Sequence, residues 1–392
     1  MNNIDLYLDD FRMELEKRDS DGNRIRNNLN VNMDMDGCLS AAIMLLAYPD
    51  FRICGYNDSA IQYYIKNDVQ DETVVNVDLF CTNKNMMCID NHINSVHTAT
   101  MPLKYNPNFM CGSSKENYRE KYPFSTFIFL CAVLEHFNPD IFSNIDIGAE
   151  INGSVIVDKN GKRKIRLFEL MLRADSALYN SIKFYDNAEE WWDILIKISG
   201  KRNGIIRKLH RAVIHFRNNI GFDEKYKNND SMIKTYLNEC NKYYEKISKW
   251  FENAYMGKRD GFKSLSKGFY NFFRDVFGLF GVTAALPRVD ELVLYTYRRI
   301  RYVSGNPDFF EDLVKDGRLV SYAFVQSDEI SLNIRTCDEN YFLNEPKMFI
   351  RRKRKAYSGE LDPKGNIDPV HYNNPNDPLY IPDFDVYVPI VY

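Results

Sequence analysis

Two carboxylates stand two residues apart in Asn32-Met33-Asp34-Met35-Asp36-Gly37, with the amide of Asn32 two residues ahead of the first. Residues at i and i+2 share one face of an extended segment, and the glycine beside Asp36 lets the backbone turn tightly into the segment that follows. The pattern suits a metal site at the carboxyl end of a strand. It equally suits a polar strand-to-helix loop in which an Asp side chain caps the helix, and the stretch alone does not separate the two. Further along, Asp78, the run Asp90-Asn91-His92, and Asp175 each follow a short apolar or helical segment. Carboxylates gathered in one crevice repel one another and take up protons unless cations neutralise them. Two divalent ions roughly 3.5–4 Å apart would meet that need, and such a pair clamps both oxygens of an in-line phosphoryl displacement.

Alternating strands and helices must bring these residues together. From about residue 28, short apolar runs take turns with amphipathic segments, the pattern of an α/β fold built on a mostly parallel sheet. The spacing predicts strands over 28–33, 51–55, 73–77 and 86–89, and helices over 39–47, 59–65 and 125–137. An amphipathic helix over 4–15 precedes them, and a helical stretch over 167–173 delivers Asp175. Ligands of open α/β sheets collect beyond the carboxyl ends of the strands, and that is where Asp34, Asp36, Asp78, Asp90, Asn91 and His92 fall.

Composition excludes several classes. The 392 residues suffice for two domains, or for one domain with a large insertion. Apolar residues at 45% and aromatics at 14% supply ample core material, which argues against disorder. A formal charge of −3 gives no global attraction to nucleic acid or anionic membrane, so binding a polyanion requires a local patch. The eight cysteines are scattered without a Cys-x-x-Cys pair, as expected of reduced thiols in a cytoplasmic protein. The acidic start is unlike a signal peptide, and no apolar run approaches the ~18 residues of a membrane span.

The set Asp34-x-Asp36-Gly37, Asp78 after a strand, Asp90-Asn91-His92 and then Asp175 resembles the DHH phosphoesterase family over roughly residues 25–190. Within it, the nanoRNA-degrading phosphodiesterases are the most similar. The resemblance implies a DHH-like phosphoesterase domain over 1–185, a helical connector or insertion over 186–285, and a smaller α+β substrate-binding domain with a basic tail over 286–392. It also implies two manganese ions, or magnesium in their place. Asp34 would bind the first, Asp36 the second, Asp78 would bridge them, and Asp175 would complete the second site. Asp90 would orient its neighbours and His92 would donate to the scissile phosphate, which makes these two the catalytic candidates. Asn32 and Asn91 stand where the family usually has metal-binding histidines, and an Asn side chain still offers an oxygen to a hard cation such as Mg²⁺ or Mn²⁺. The implied activity is hydrolysis of a short single-stranded oligonucleotide or a nucleotide phosphoester. The alternative is a DHH-like protein that binds nucleic acid, nucleotide or a protein partner without hydrolysis. A homodimer stays open, and no membrane partner is expected.

Beyond residue 186 the pattern turns helical, with helices expected around 191–198, 205–216, 236–251 and 262–280. Lys201, Arg202, Arg207, Lys208, Arg211 and Arg217 suit either a phosphate track or a solvated face. Phe262, Phe269, Phe272, Phe273, Phe277 and Phe280 largely follow helical spacing and are expected in the core. A hairpin is expected over 319–325 and 330–336. The second of these segments, Ser331 to Thr336, is similar to a strand of the family's C-terminal domain, which makes Arg335 a candidate phosphate contact. The basic run 351–355 suits a nucleic-acid contact or a solvated loop. His97 and His136 are expected at surface or packing positions, and His210 and His215, five apart, do not share a helical face.

Overall fold

The computed structural model describes residues 4–58, 62–80, 83, 85–92, 104–110, 120–146, 155–157, 164–258, 260–303, 319–326, 329–335 and 389–390, with the backbone alone described in 155–157 and beyond 293. In chain order the first elements are α1 (Ile4–Glu16), β1 (Asn28–Asn32), α2 (Met35–Ala47), β2 (Arg52–Asp58), β3 (Gln62–Ile65), β4 (Val74–Val77), β5 (Met87–Ile89), β6 (Lys104–Tyr105), α3 (Pro107–Met110) and α4 (Thr126–Phe137). There follow β7 (Val155–Val157), β8 (Lys164–Arg166), α5 (Leu167–Arg173), α6 (Ala177–Lys183), α7 (Tyr185–Ser199), α8 (Ile205–Asn219), α9 (Asp230–Tyr255) and α10 (Lys267–Leu279). The last are β9 (Val293–Val303), β10 (Leu319–Gln326), β11 (Glu329–Arg335) and β12 (Pro389–Ile390).

The fold is α/β, with a mixed sheet in the order β10-β11-β9-β3-β2-β1-β4-β5-β6 and β12 beside β9. Its centre is parallel: β1 pairs with β2 and β4, β4 with β5, and β5 with β6. The chain leaves β1 for β2 on one side and comes back to β4 on the other. The gap beyond the carboxyl ends of β1 and β4 is therefore a topological switch point, the usual place for a ligand in such a sheet.

β1 explains why this edge of the sheet is polar. All five of its residues are buried. Leu29 and Val31 join the main core with Val75, Val77, Met87 and Ile89. Asn28, Asn30 and Asn32, on the alternate face, are buried too and must find hydrogen bonds. Asn28 donates to Thr73 Oγ1 at 2.8 Å and Asn30 to Asn76 Oδ1 at 2.8 Å, while Asn32 reaches the carboxylates described below. This ladder of amides leads along β1 to the switch point.

α2 and α4 are apolar nearly all round and are buried along most of their length, as helices at the centre of a fold must be. α7 to α10 belong to the same core: Trp191, Trp192, Phe251, Phe269 and Phe273 are buried in one cluster with Leu29 and Val31.

Several sequence expectations are corrected. Residues 62–65 form β3, not part of a helix: Tyr63, Tyr64 and Ile65 favour strands, and the segment is held between β2 and β9. The helix expected over 262–280 begins at Lys267, where Ser266 Oγ accepts from the Phe269 amide at 3.2 Å. Phe262 lies outside that helix but still in the core, 5.0 Å from Phe251 by ring centroids, and the Phe stripe is buried as expected. Of the basic set, Arg217 is buried against Glu189 at 2.8 Å and Lys201 pairs with Asp140 at 3.2 Å, whereas Arg202, Arg207 and Arg211 are exposed. The expected hairpin is present as β10 and β11. Arg335 ends β11 opposite Tyr297, but its side chain lies outside the described residues, as do His97 and the run 351–355. Among the described residues no helix is long and apolar enough to cross a membrane.

Candidate metal centre

Each carboxylate is delivered by a local backbone device. Asp34 is the N-cap of α2, and its Oδ1 accepts from the Gly37 amide at 2.9 Å. Both sequence readings of this residue therefore hold in part, because Oδ2 is left to face the crevice, where it accepts from Asn32 Nδ2 at 2.8 Å. Gly37 is required by close approach, since a Cβ there would lie 2.3 Å from the Asn32 carbonyl oxygen. Asp36, one turn into α2, accepts the first amides of α4: Thr126 N–H at 2.8 Å on Oδ2 and Phe127 N–H at 2.9 Å on Oδ1. A carboxylate at a helix N-terminus is favoured by the unpaired amides and the helix dipole.

Asp78 follows β4 in the left-handed region at φ 58°, and its amide donates to the Ile89 carbonyl at 2.8 Å. Asp175 and Ser176, between α5 and α6, also lie there at φ 46° and 56°. Non-glycine residues rarely adopt this conformation, which costs of order 1 kcal/mol or more and gathers at functional sites. Asp78 Oδ1 accepts from the Thr126 hydroxyl at 3.0 Å, and Oδ2 from Asn32 Nδ2 at 3.0 Å.

Asp36, Asp78 and Asp175 place carboxylate oxygens within 4.8 Å of one another, and so do Asp78 and Asp90 with a ring nitrogen of His92. Asp78 belongs to both groups, at the midpoint that the expected bridging role requires. Asn91 Nδ2 donates to Asp175 Oδ2 and, at 2.8 Å, to the Phe124 carbonyl. His92 Nδ1 is 2.7 Å from Asp90 Oδ1. Thus Asn32, Asp34, Asp36, Asp78, Asp90, Asn91, His92 and Asp175 form one connected site. Arg335 is not joined to it by any described contact.

The electrostatics follow from crowding. Burial, and then the charge of Asp175, push Asp34 up to about 7. Asp36 and Asp78 are also raised well above the usual carboxylate range, by burial first and by the neighbouring Asp carboxylates second. Burial lowers the His92 pKa, but the charge and hydrogen bond of Asp90, with Asp175 behind them, outweigh it and push the ring up to about 9. Like charges held this close call for a cation. The residues fit one: among the buried polar atoms, Asn91 Oδ1 has no hydrogen-bond partner, and the rest of the donor set is carboxylate oxygen. Such oxygens suit a divalent ion such as Mg²⁺, Mn²⁺ or Ca²⁺.

The supporting residues were less visible in the sequence. Thr126 holds both Asp36 and Asp78, and its one sequence signal is its place after Ser125 at the start of an apolar helix. Asn106 Nδ2 donates to the His92 carbonyl at 2.7 Å and Asn108 Nδ2 to the Asn91 carbonyl at 2.8 Å, so Asn106-Pro107-Asn108 clamps the acidic run from behind. Residues 258–262 fold back onto the metal loop: Met35 N–H donates to the Asp260 carbonyl and Phe262 N–H to the Met33 carbonyl, each at 2.8 Å. The buried Arg173 holds the Asp260 carboxylate at 3.0 Å. No family model, curated protein or solved structure matches the chain.

Proposed function

We propose that the protein is a metal-dependent phosphodiesterase that hydrolyses short single-stranded oligonucleotides or nucleotide phosphoesters at the Asp36, Asp78, Asp175 centre. One observation carries the reading: carboxylates from β1 and α2, β4 and the α5–α6 turn converge at the switch point with a bare amide oxygen beside them. The resemblance to DHH phosphoesterases supplies the reaction class, and the convergence in space supports it.

Asp36, Asp78, Asp175 and Asn91 would hold a divalent ion, with Asp34 and Asn32 available to a second. When bound, such ions neutralise phosphate charge and activate water. The chain's own residues do the rest. Thr126 and the first amides of α4 keep Asp36 and Asp78 in place. Asp90 keeps His92 protonated at neutral pH, so that the ring donates to a phosphate oxygen. Arg173 fastens the 258–262 segment over the metal loop. Incubating the protein with short RNA and DNA and Mn²⁺ tests the reading: mononucleotides should be released, and Asp78→Ala should abolish release. Inactivity of the folded protein with Mn²⁺, Mg²⁺ and Co²⁺ would sink it.

A second reading, binding without hydrolysis, is favoured by the Asn32 amide. It donates to Asp34 and Asp78 at once and so partly neutralises, by hydrogen bonding, the pair that would hold the second ion. Calorimetric titration separates the readings, because nucleotide binding with no uptake of Mn²⁺ fits only the second.

A further inference from the structure

The two asparagines at the imidazole positions are not equivalent. Asn32 Nδ2 is held by carboxylates, Asp34 and Asp78. Asn91 is oriented by something that cannot change its role: the Phe124 carbonyl, which only accepts, takes Asn91 Nδ2 at 2.8 Å. The amide nitrogen must face that carbonyl, so Oδ1 must face away from it. Asp175 Oδ2, another acceptor, takes the same nitrogen and locks the same orientation. Asn108 fixes the main chain here by donating to the Asn91 carbonyl at 2.8 Å. The result is an amide oxygen in a residue only 6% exposed, with no donor to satisfy it. Leaving a buried acceptor bare is costly, and this one lies on the side chain that touches Asp175, a member of the acidic cluster.

We infer that Asn91 Oδ1 is itself a cation ligand and that it tunes the centre toward hard divalent ions. The inference rests on the acidic cluster being a metal centre, as proposed above. Imidazole suits Zn²⁺ and Ni²⁺ and strengthens the advantage those ions hold over Mn²⁺ and Mg²⁺, whereas amide and carboxylate oxygens suit the harder ions. With Asn91 supplying oxygen beside Asp36, Asp78 and Asp175, the advantage of Zn²⁺ narrows. The Phe124 carbonyl is then the group that positions the ligand, as outer partners of metal ligands commonly do.

The test is calorimetric titration of the full chain with MnCl₂ and ZnCl₂ alone, for the natural protein, Asn91→Leu and Asn91→His. Circular dichroism and metal-free melting establish that each is folded. Asn91→Leu, close in shape but without a ligand atom, should weaken Mn²⁺ by about tenfold or more. Asn91→His should raise the ratio of Zn²⁺ to Mn²⁺ affinity by about tenfold or more, and it carries the test alone where the Leu variant does not fold. An unchanged ratio in Asn91→His, or Mn²⁺ affinity in a folded Asn91→Leu equal to that of the natural protein, would overturn the inference and leave the metal centre standing. If the natural protein takes up neither ion at millimolar concentration, the metal reading falls and this inference with it. If uptake depends on Asn91 but no phosphodiester is cut, the inference stands and the hydrolytic reading alone is lost.

Discussion

The Thr126 hydroxyl donates to Asp78 Oδ1 at 3.0 Å, so the first turn of α4 holds the carboxylate at the end of β4, 48 residues away in the chain. The same residue's amide donates to Asp36 at 2.8 Å. Thr126 thus sets the spacing of two carboxylates without being a ligand. Replacing it with Val removes the hydroxyl and keeps the shape and the amide. Thr126→Val should lower Mn²⁺ affinity about tenfold, the lower end of the range for lost outer partners, and Thr126→Ser should keep most of it. Calorimetry on both variants checks this, and equal affinities for Val and Thr would remove the positioning role.

Asp34 should make the metal-free protein sensitive to pH. Its carboxyl is pushed up to about 7 from an ordinary 3.8 by burial and by Asp175. Between those values the folded chain holds a proton that the unfolded chain has released. The group's contribution to stability is therefore complete below about pH 4 and is lost as pH rises through about 7. In EDTA at about pH 8, Asp34→Asn should melt above the natural protein, and the difference should shrink toward about pH 4. A variant that melts lower at both would contradict the repulsion described for this crevice.

His92 has the opposite sign of charge and a different consequence. Burial opposes its protonation, but Asp90 holds the ring up to about 9, above the ordinary 6.5. The stability it contributes is full below about pH 6.5 and is lost as pH rises through about 9. In a nuclear magnetic resonance titration in EDTA, the ring should have its midpoint near 9 and move toward the ordinary range in Asp90→Asn. Under the hydrolytic reading, His92→Gln should lower turnover about a hundredfold, the scale for losing one donor to developing charge.

Two glycines should respond oppositely to alanine. A Cβ at Gly37 would meet the Asn32 carbonyl oxygen at 2.3 Å, whereas one at Gly278, in the last turn of α10, would meet nothing within 4 Å. Gly278→Ala should stabilise by about 0.5–1 kcal/mol through helix propensity and unfolded-chain entropy. Gly37→Ala should destabilise the protein and weaken Mn²⁺ binding, because Asn32 and α2 must move apart. Urea unfolding of both variants, with unchanged slope, measures this.

The sequence by itself determined the alternation of strands and helices through residue 47, the hydrophobic character of α4, and the candidate ligands. These were legible because they depend on local pattern: Asp34 and Asp36 share a strand-to-helix turn, and Asp78, Asp90 and Asn91 each follow a strand that announces itself by apolar run. The segment over 62–65 was misread as helix because its pairing partners, β2 and β9, are supplied by distant parts of the chain, and such pairing overrides a short periodic signal.

Only the tertiary structure decided which of those residues meet. It brought Asp175 to Asp36 and Asp78 through a pair of left-handed residues that no local pattern signalled. It made Thr126, from a helix read as simply apolar, the holder of two carboxylates. It distinguished two identical residue types as well, because the Phe124 carbonyl orients Asn91 whereas carboxylates hold Asn32. The physical reason is common to all three: spacing along the chain names a donor atom, but the direction in which that atom points is set by neighbours from other elements.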